Sequence, residues 1–413
     1  MVNKKHTRGE IVKRPVIEEF KAWKSQIPFL YDICISHAIQ WSSLTVEWLP
    51  ERVEGYYSDQ QIIIGTHADD NQPNYLIIAQ VRVPLSDVCV NDVDGNLDRE
   101  DDRAKLVSDA LGKIKILHQI PHDGEVNRAR HQPQAPFRIA TKTTSLEVHL
   151  FDCRNHPTKY PVGGTSNPDV RLIGHTSGGF GLSWSKVNEG LLLSGSNDSR
   201  VCLWDTNLTS VNNTLDVLET YEYHQGSVHD VSWHWKLGYL FASCGDDGYL
   251  HISDYRTKFS PVQSLMAHPL GINSLSFNPL NESLVATGSK DKTLKVFDMR
   301  NLTSELYTLK YHKTNQLLVV YYDRDEVVQI EWSPHNENII ASSSSDRRLL
   351  MWDTSRVGQE QLSEDVPPEL LFIHAGHTSR VPDFSWNPTE DWAIASVADD
   401  NMLQVWQMQE SFI

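Results

Sequence analysis

Histidine is the side chain best suited to acid–base work and metal ligation near neutral pH, and this chain carries 18 of them. Six fall in one register: His122, His175, His224, His268, His312 and His377. Nineteen residues beyond each stands a hydroxyl, at Thr141, Ser194, Ser243, Thr287 and Ser396, and at Ser342 in the fifth unit once 11 additional residues are allowed. Twenty-three beyond stands an aspartate in five of the six units, Asp198, Asp247, Asp291, Asp346 and Asp400, with Ser145 in the first. Twenty-nine beyond come Phe151, Trp204, Ser253, Phe297, Trp352 and Trp406, followed by Asp in all but the last. An Asp that orients a His, which bonds a strand hydroxyl, which meets an indole N–H, is a buried polar chain that locks a structural unit. The register histidines lie at least 44 residues apart in the chain, which does not suit a metal cage, and no metal ligand set is expected.

Other chemistry finds no residues to carry it. The sequence has no G-x-x-x-x-G-K-[ST], H-E-x-x-H or G-x-S-x-G, so phosphate-loop, zinc-hydrolase and nucleophile-elbow mechanisms have no support. Cys34, Cys89, Cys153, Cys202 and Cys244 are odd in number and contain no C-x-x-C pair, which argues against a disulfide framework. A protein without catalysis or cofactor is expected. The net charge of −17 repels nucleic-acid phosphates and favours basic partners. No apolar run approaches the roughly 18 residues of a membrane span, and the N-terminus lacks a secretory h-region, so a soluble intracellular chain is expected and its N-x-S/T sequons are accidental.

The elements that position these residues follow from the repeat. Between the marks the sequence alternates as half-buried strands do, in Asp230-Val231-Ser232-Trp233 and Ser274-Leu275-Ser276-Phe277, with turns at Asn278-Pro279 and Ser333-Pro334. Four short strands fit each unit, at intervals near the ~40 to 45 residues of a propeller blade. Residues 45 to 83 supply a seventh, signature-free blade from the runs at Leu44–Trp48, Gln61–Thr66 and Tyr75–Val83. The expected fold is therefore all-β: a seven-bladed WD-repeat β-propeller over residues 34–413, closed by pairing an N-terminal strand with the last blade. Residues 1–14 read as a basic disordered tail, with a nuclear-localisation patch as the rarer reading, and 15–33 as an amphipathic helix from Pro15, with Ile17, Phe20, Trp23 and Ile27 on one face. Residues 86–103 read as a mobile loop. The excess at 314–324 is an insertion that covers the channel mouth or has no role, and 358–374 is an acidic, proline-containing loop.

Residues three and five beyond each register histidine enter the innermost strand and ring the channel mouth: Glu125, Asn127, Gly178, Phe180, Ser227, His229, Gly271, Asn273, Glu326, Val328, Arg380 and Pro382. That ring is mixed in charge, and an ordinary polar rim and a basic-peptide site both fit it.

Several longer strings resemble one family nearly end to end: FKAWKSQIPFLYD at 20–32, HAIQWSSLTVEWLP at 37–50, GEVNRAR at 124–130, NPDVRLIGH at 167–175, DRRLLMWD at 346–353, PPELLFIHAGH at 367–377 and DNMLQVWQM at 400–408. The family is the retinoblastoma-associated histone-binding proteins, which include the small subunit of chromatin assembly factor. The resemblance implies a side groove that takes the first helix of histone H4, with Phe29, Leu30, Ile33, Leu370, Phe372 and Ile373 as apolar contacts, Pro367 and Pro368 in the loop, and Glu364 and Asp365 meeting histone Lys and Arg. Physics alone equally allows those apolar residues to dock the helix on the propeller wall.

The resemblance also implies that the channel mouth holds the histone H3 tail, through Trp41, His67, Glu125, Asn127, Arg128, Phe180, Asp246, Asn273, Glu326, Arg380, Asp399 and Asn401. Where the family has acids this chain has Gln40, Gly178 and His229; Val328 replaces an aromatic and Ser42 a proline. Fewer carboxylates weaken recognition of a tail guanidinium. Implied in turn are a nuclear, partly cytoplasmic histone-chaperone scaffold, monomeric on its own, and shared among chromatin assembly, deacetylase, remodelling and Polycomb-type complexes. A cullin ubiquitin-ligase substrate receptor, from the W-D-x-R-like strings at 253–256 and 297–300, and a generic propeller scaffold with decayed histone surfaces are the alternatives.

Overall fold

The computed structural model describes residues 8–54, 57–68, 72–84, 114–160, 164–311, 325–360 and 366–412. The tail residues 1–7, the loop at 86–103, His312 and the 314–324 insertion, and Glu364 and Asp365 lie outside them. Seven antiparallel sheets follow one another along the chain, each starting from an innermost strand: Val46–Glu54, Val126–Gln132, Leu182–Trp184, Val228–Trp233, Ile272–Phe277, Val327–Trp332 and Asp383–Trp386. Each innermost strand touches the next, and the seventh touches the first, so the sheets are the blades of a closed seven-bladed propeller. The seventh blade takes its outermost strand from the other end of the chain: Tyr31–Ala38 pairs antiparallel with Met402–Met408, Cys34 opposite Trp406. This closure removes a sheet edge and ties the two ends of the chain together.

The repeat chemistry explains each blade's inner turn. The residue after each register aspartate has positive φ: Ser199 (66°), Gly248 (74°), Lys292 (71°), Arg347 (75°) and Asn401 (62°). The aspartate stabilises that turn by accepting the backbone N–H two residues on, as from Arg200 to Asp198 (3.1 Å) and Tyr249 to Asp247 (3.1 Å). The same carboxylate then orients the histidine. His175 sits with Nδ1 3.0 Å from Asp198 and Nε2 2.6 Å from Ser194 Oγ, and His224 and His268 repeat the arrangement with Asp247 and Ser243, and with Asp291 and Thr287. In the seventh blade His377 Nε2 is 2.8 Å from Ser396 Oγ, which also accepts the Trp406 indole N–H at 3.3 Å, while Asp400 stands 3.8 Å from Nδ1. One expected contact differs: Trp204 donates to the Ile173 carbonyl (3.4 Å) and not to Ser194. The Ser194 hydroxyl is already committed to His175, so the indole finds a main-chain acceptor. Where Ser145 replaces the aspartate, Gly124 O approaches His122 Nδ1 at 3.1 Å instead.

Apolar burial lies between blades. Phe277 and Val285 meet Leu250 and Ile252 across one interface, and Trp332 and Ile340 meet Val296 and Leu309 across the next. Every inter-blade gap among the described residues holds such a cluster, so each blade is held chiefly by its neighbours.

Three expected boundaries shift. The helix runs Arg8–Leu30 and not 15–33, so residues 8–14 belong to it and not to a disordered tail. Proline's fixed φ is itself helical, so Pro15 and Pro28 each remove a hydrogen bond without ending the helix. What ends it is the pairing of Tyr31 and its successors with the seventh blade, which also carries the propeller back to Tyr31 from the expected start at 34. The loop expected over 358–374 stops at Glu369, because Leu370–His374 alternates buried and half-buried with period two and forms the outermost strand of the sixth blade.

Candidate functional site

Two surfaces gather the residues singled out from the sequence. The first is the flank where the N-terminal helix lies over the gap between the sixth and seventh blades. Phe20, Trp23, Ile27 and Leu30 pack with Tyr31, Phe372, Phe384 and Trp406 in one apolar cluster. A polar relay runs through it: the Trp23 indole N–H donates to the Tyr31 hydroxyl (2.9 Å), which lies 2.9 Å from His374 Nδ1, and His374 Nε2 is 2.8 Å from Gln404 Oε1. Gln404 donates onward to the Gly376 carbonyl at 2.9 Å. Gly376 makes the close approach possible, since a Cβ there would come 2.7 Å from Trp23 Cζ2. The imidazole of His374 stacks on Trp406 at 4.3 Å, and complete burial holds its pKa well below the ordinary histidine value. At the helix edge Arg347 bridges to Glu19 at 3.0 Å.

The expected groove residues divide here. Leu370 and Phe372 are core, 8% and 6% exposed, Phe372 lying against Trp406 and Tyr31. Period two turns these two inward and leaves Leu371 and Ile373 half-buried. Leu30 and Ile33 are half-buried, Pro367 and Pro368 likewise, while Phe29 is 67% exposed. Val366 and Phe412, also exposed, continue the apolar surface, and Phe412 reaches Phe372 edge-on at 5.9 Å. The result is a strip of solvent-facing apolar side chains on a rigid base.

The second surface is the channel mouth. Two cavities of about 380 and 520 Å³ share Leu44, Phe180 and Arg380 as walls. Arg128, Asn273 and Glu326 line the smaller, and His67, Glu125, Asn127 and Asp399 the larger. Trp41, Asp246 and Asn401 are not in either wall: Asn401 holds the N-terminal strand through its carbonyl, which accepts Ile39 N–H at 2.9 Å, and Asp246 is engaged by side chains that line the mouth. Glu125 is paired with His67 at 3.1 Å. Deeper in, burial raises the Asp399 carboxyl above its ordinary value, against the pull of Arg380. Below the mouth Arg128 and Arg130 reach the fully buried Asp383 carboxylate at 3.3 and 3.2 Å, and burial pushes Glu331 up to about 8.

Some mouth residues that the sequence pattern did not single out obey a spacing of their own. The residue just before the register aspartate, twenty-two beyond the histidine, projects at the mouth: Thr144, Asn197 and Asp399 line the larger cavity and Lys290 the smaller. That spacing could have found all of them.

Other features resolve into local structure. In the W-D-x-R-like strings, Arg256 and Arg300 each fold back on their own Asp254 and Asp298 at 2.6 Å, as Arg154 does on Asp152. His224, Asp247 and His251 bring ligating atoms within 4.8 Å of one another, but His224 and Asp247 already hold each other at 2.9 Å as part of the blade lock.

Comparison with known proteins adds two family matches. The model described as "WD domain, G-beta repeat" matches residues 167–205, 215–254, 259–298, 303–353 and 368–407, just over half of the chain. The model for the histone-binding protein RBBP4 and its counterpart in the CAF1 complex matches residues 18–85, which hold most of the helix, the closing strand and most of the first blade. Among solved structures, one titled "Crystal Structure of Mitotic Checkpoint Complex" superposes with a TM-score of 0.60 over 91% of each chain at 16% identity, a likeness of fold alone.

Proposed function

This chain belongs to the WD-repeat family, in its histone-binding RBBP4 type, and acts as a histone-binding scaffold; from that premise we propose that its flank holds the first helix of histone H4. The observation that carries the reading is Phe29. A phenylalanine 67% exposed at the end of a helix, beside half-buried Leu30 and Ile33, is costly unless a partner covers it. An amphipathic helix laid along this strip would place apolar side chains against Phe29, Ile33, Leu371 and Ile373. Its basic side chains would meet a chain of net charge −17, with Glu364 and Asp365 directly before Val366 in the sequence. The base is pre-organised by the Trp23–Tyr31–His374 relay, so little ordering is needed on binding.

The channel mouth is the proposed site for the histone H3 tail, with Phe180 as a wall and Glu125 and Asp399 as the acids available to a cation. The proposed setting is nuclear, as a non-catalytic subunit shared by chromatin assembly, deacetylase, remodelling and Polycomb-type complexes.

Calorimetry with a peptide of the H4 first helix tests the flank. Phe29→Asp is the variant of choice, because its side chain supports no core, whereas Phe372→Ala would damage the propeller itself. One apolar anchor of this size is worth about 1.5 to 3 kcal/mol, so a loss of affinity of at least about tenfold is expected with an unchanged melting temperature. Equal binding by the two proteins would contradict the reading.

A further inference from the structure

The mouth contains a cation of its own where a peptide's cation would be expected. Lys290 Nζ lies 2.5 Å from Asp246 Oδ1, and His229 Nε2 lies 2.9 Å from the same oxygen and 3.4 Å from the lysine nitrogen. One carboxylate is thus shared between two basic side chains from neighbouring blades. The approach depends on a missing side chain in the strand between them: a Cβ at Gly271 would stand 2.9 Å from Asp246 Oδ1 and 3.3 Å from Lys290 Cδ. Lysine at 290 and glycine at 271 therefore act as a pair, the first supplying the charge and the second the room.

The consequence is an electrical division of the mouth. The smaller cavity is walled by Arg128, Lys290 and Arg380 against the single acid Glu326, which in turn lies near the Asn273 amide at 3.4 Å. The larger is walled by Glu125 and Asp399 against Arg380. A peptide cation is accepted in the second half and repelled from the first.

We infer that Lys290 is a built-in competitor for the Asp246 carboxylate, so that the mouth selects peptides with a basic residue over Glu125 and Asp399 and an uncharged residue over Asp246. This rests on the proposal that the mouth binds a histone-type tail. It adds which half of the mouth reads charge, and it names Lys290 as a residue that sets specificity without being required for binding.

The test is fluorescence anisotropy with a labelled H3 N-terminal tail peptide on the full chain, comparing wild type, Lys290→Ala and Lys290→Ala/Asp246→Asn. Lys290→Ala should bind about fivefold to tenfold tighter, the scale of releasing one partly exposed ion pair and one like charge. The double variant should lose that gain, and a peptide with its basic residues replaced by citrulline or norleucine should show none. Gly271→Ala, which displaces the lysine, should move affinity in the same direction as Lys290→Ala. Equal binding by wild type and Lys290→Ala overturns this inference while leaving the tail reading intact. Absence of binding by both overturns the tail reading and this inference with it.

Discussion

The flank and the channel mouth are built by opposite means. On the flank, apolar side chains sit on a core stiffened by one hydrogen-bonded relay, and the exposed strip ends in Phe29. At the mouth, recognition groups are charged, partly exposed and already paired with one another, Glu125 with His67 and Asp246 with His229 and Lys290. A surface of the first kind gains affinity from area and geometry. One of the second kind gains only the difference between the pairs it breaks and the pairs it makes. The flank should therefore bind in a salt-tolerant way and the mouth in a salt-sensitive and selective one.

The largest effect that would separate the two surfaces comes from removing the flank's base. Trp23 is 7% exposed and heads the relay, so Trp23→Ala should cost about 3 to 5 kcal/mol of the helix's docking free energy, by the usual scale for a buried aromatic. Proteolysis or hydrogen exchange should show the helix detached and H4-peptide binding lost, while tail binding at the mouth is retained. Loss of both at once would show that the surfaces are not independent.

Acidification sharpens the same contrast with a smaller effect. His122 and His251 are held down to about 4, chiefly by burial, and His374 well below its ordinary value. A histidine whose folded pKa lies below its unfolded value adds stability that is present above the unfolded pKa of about 6.5 and is lost as pH falls toward the folded one, because the unfolded chain binds the proton first. Each of the first two accounts for roughly 3 kcal/mol across that window. Denaturation curves at pH 7 and pH 5 should show the loss, and Tyr31→Phe should leave the trend in place. The register aspartates Asp198, Asp247 and Asp291, lowered to about 2 against the effect of burial by hydrogen bonds that include their histidines, act only at lower pH, their contribution falling away below about 4. A flat stability between pH 7 and pH 5 would contradict this account of the buried histidines.

The propeller was legible in the sequence because its locks are local: histidine, hydroxyl and aspartate recur within twenty-three residues, and each set closes inside or beside one blade. Trp204 escaped the pattern because its acceptor is a carbonyl, which no residue type announces. The flank was legible only in outline. Leu370 and Phe372 share a string with Leu371 and Ile373, and only the pairing with Leu349–Asp353 decides which pair faces the core. The relay joins Trp23, Tyr31, His374 and Gln404, separated by as many as 343 residues between direct partners, so no spacing could expose it. Lys290 was hidden for a related reason: its reach to Asp246 depends on the absence of a side chain at Gly271, on a different strand.

The most direct test of the flank as the principal histone surface is hydrogen exchange on the full chain, alone and with an H3–H4 dimer. Slowed exchange is expected over residues 16–33 and 366–373, with weaker and salt-sensitive protection near Glu125, Phe180 and Asp399. Protection at the channel mouth with none over 16–33 and 366–373 would contradict the account.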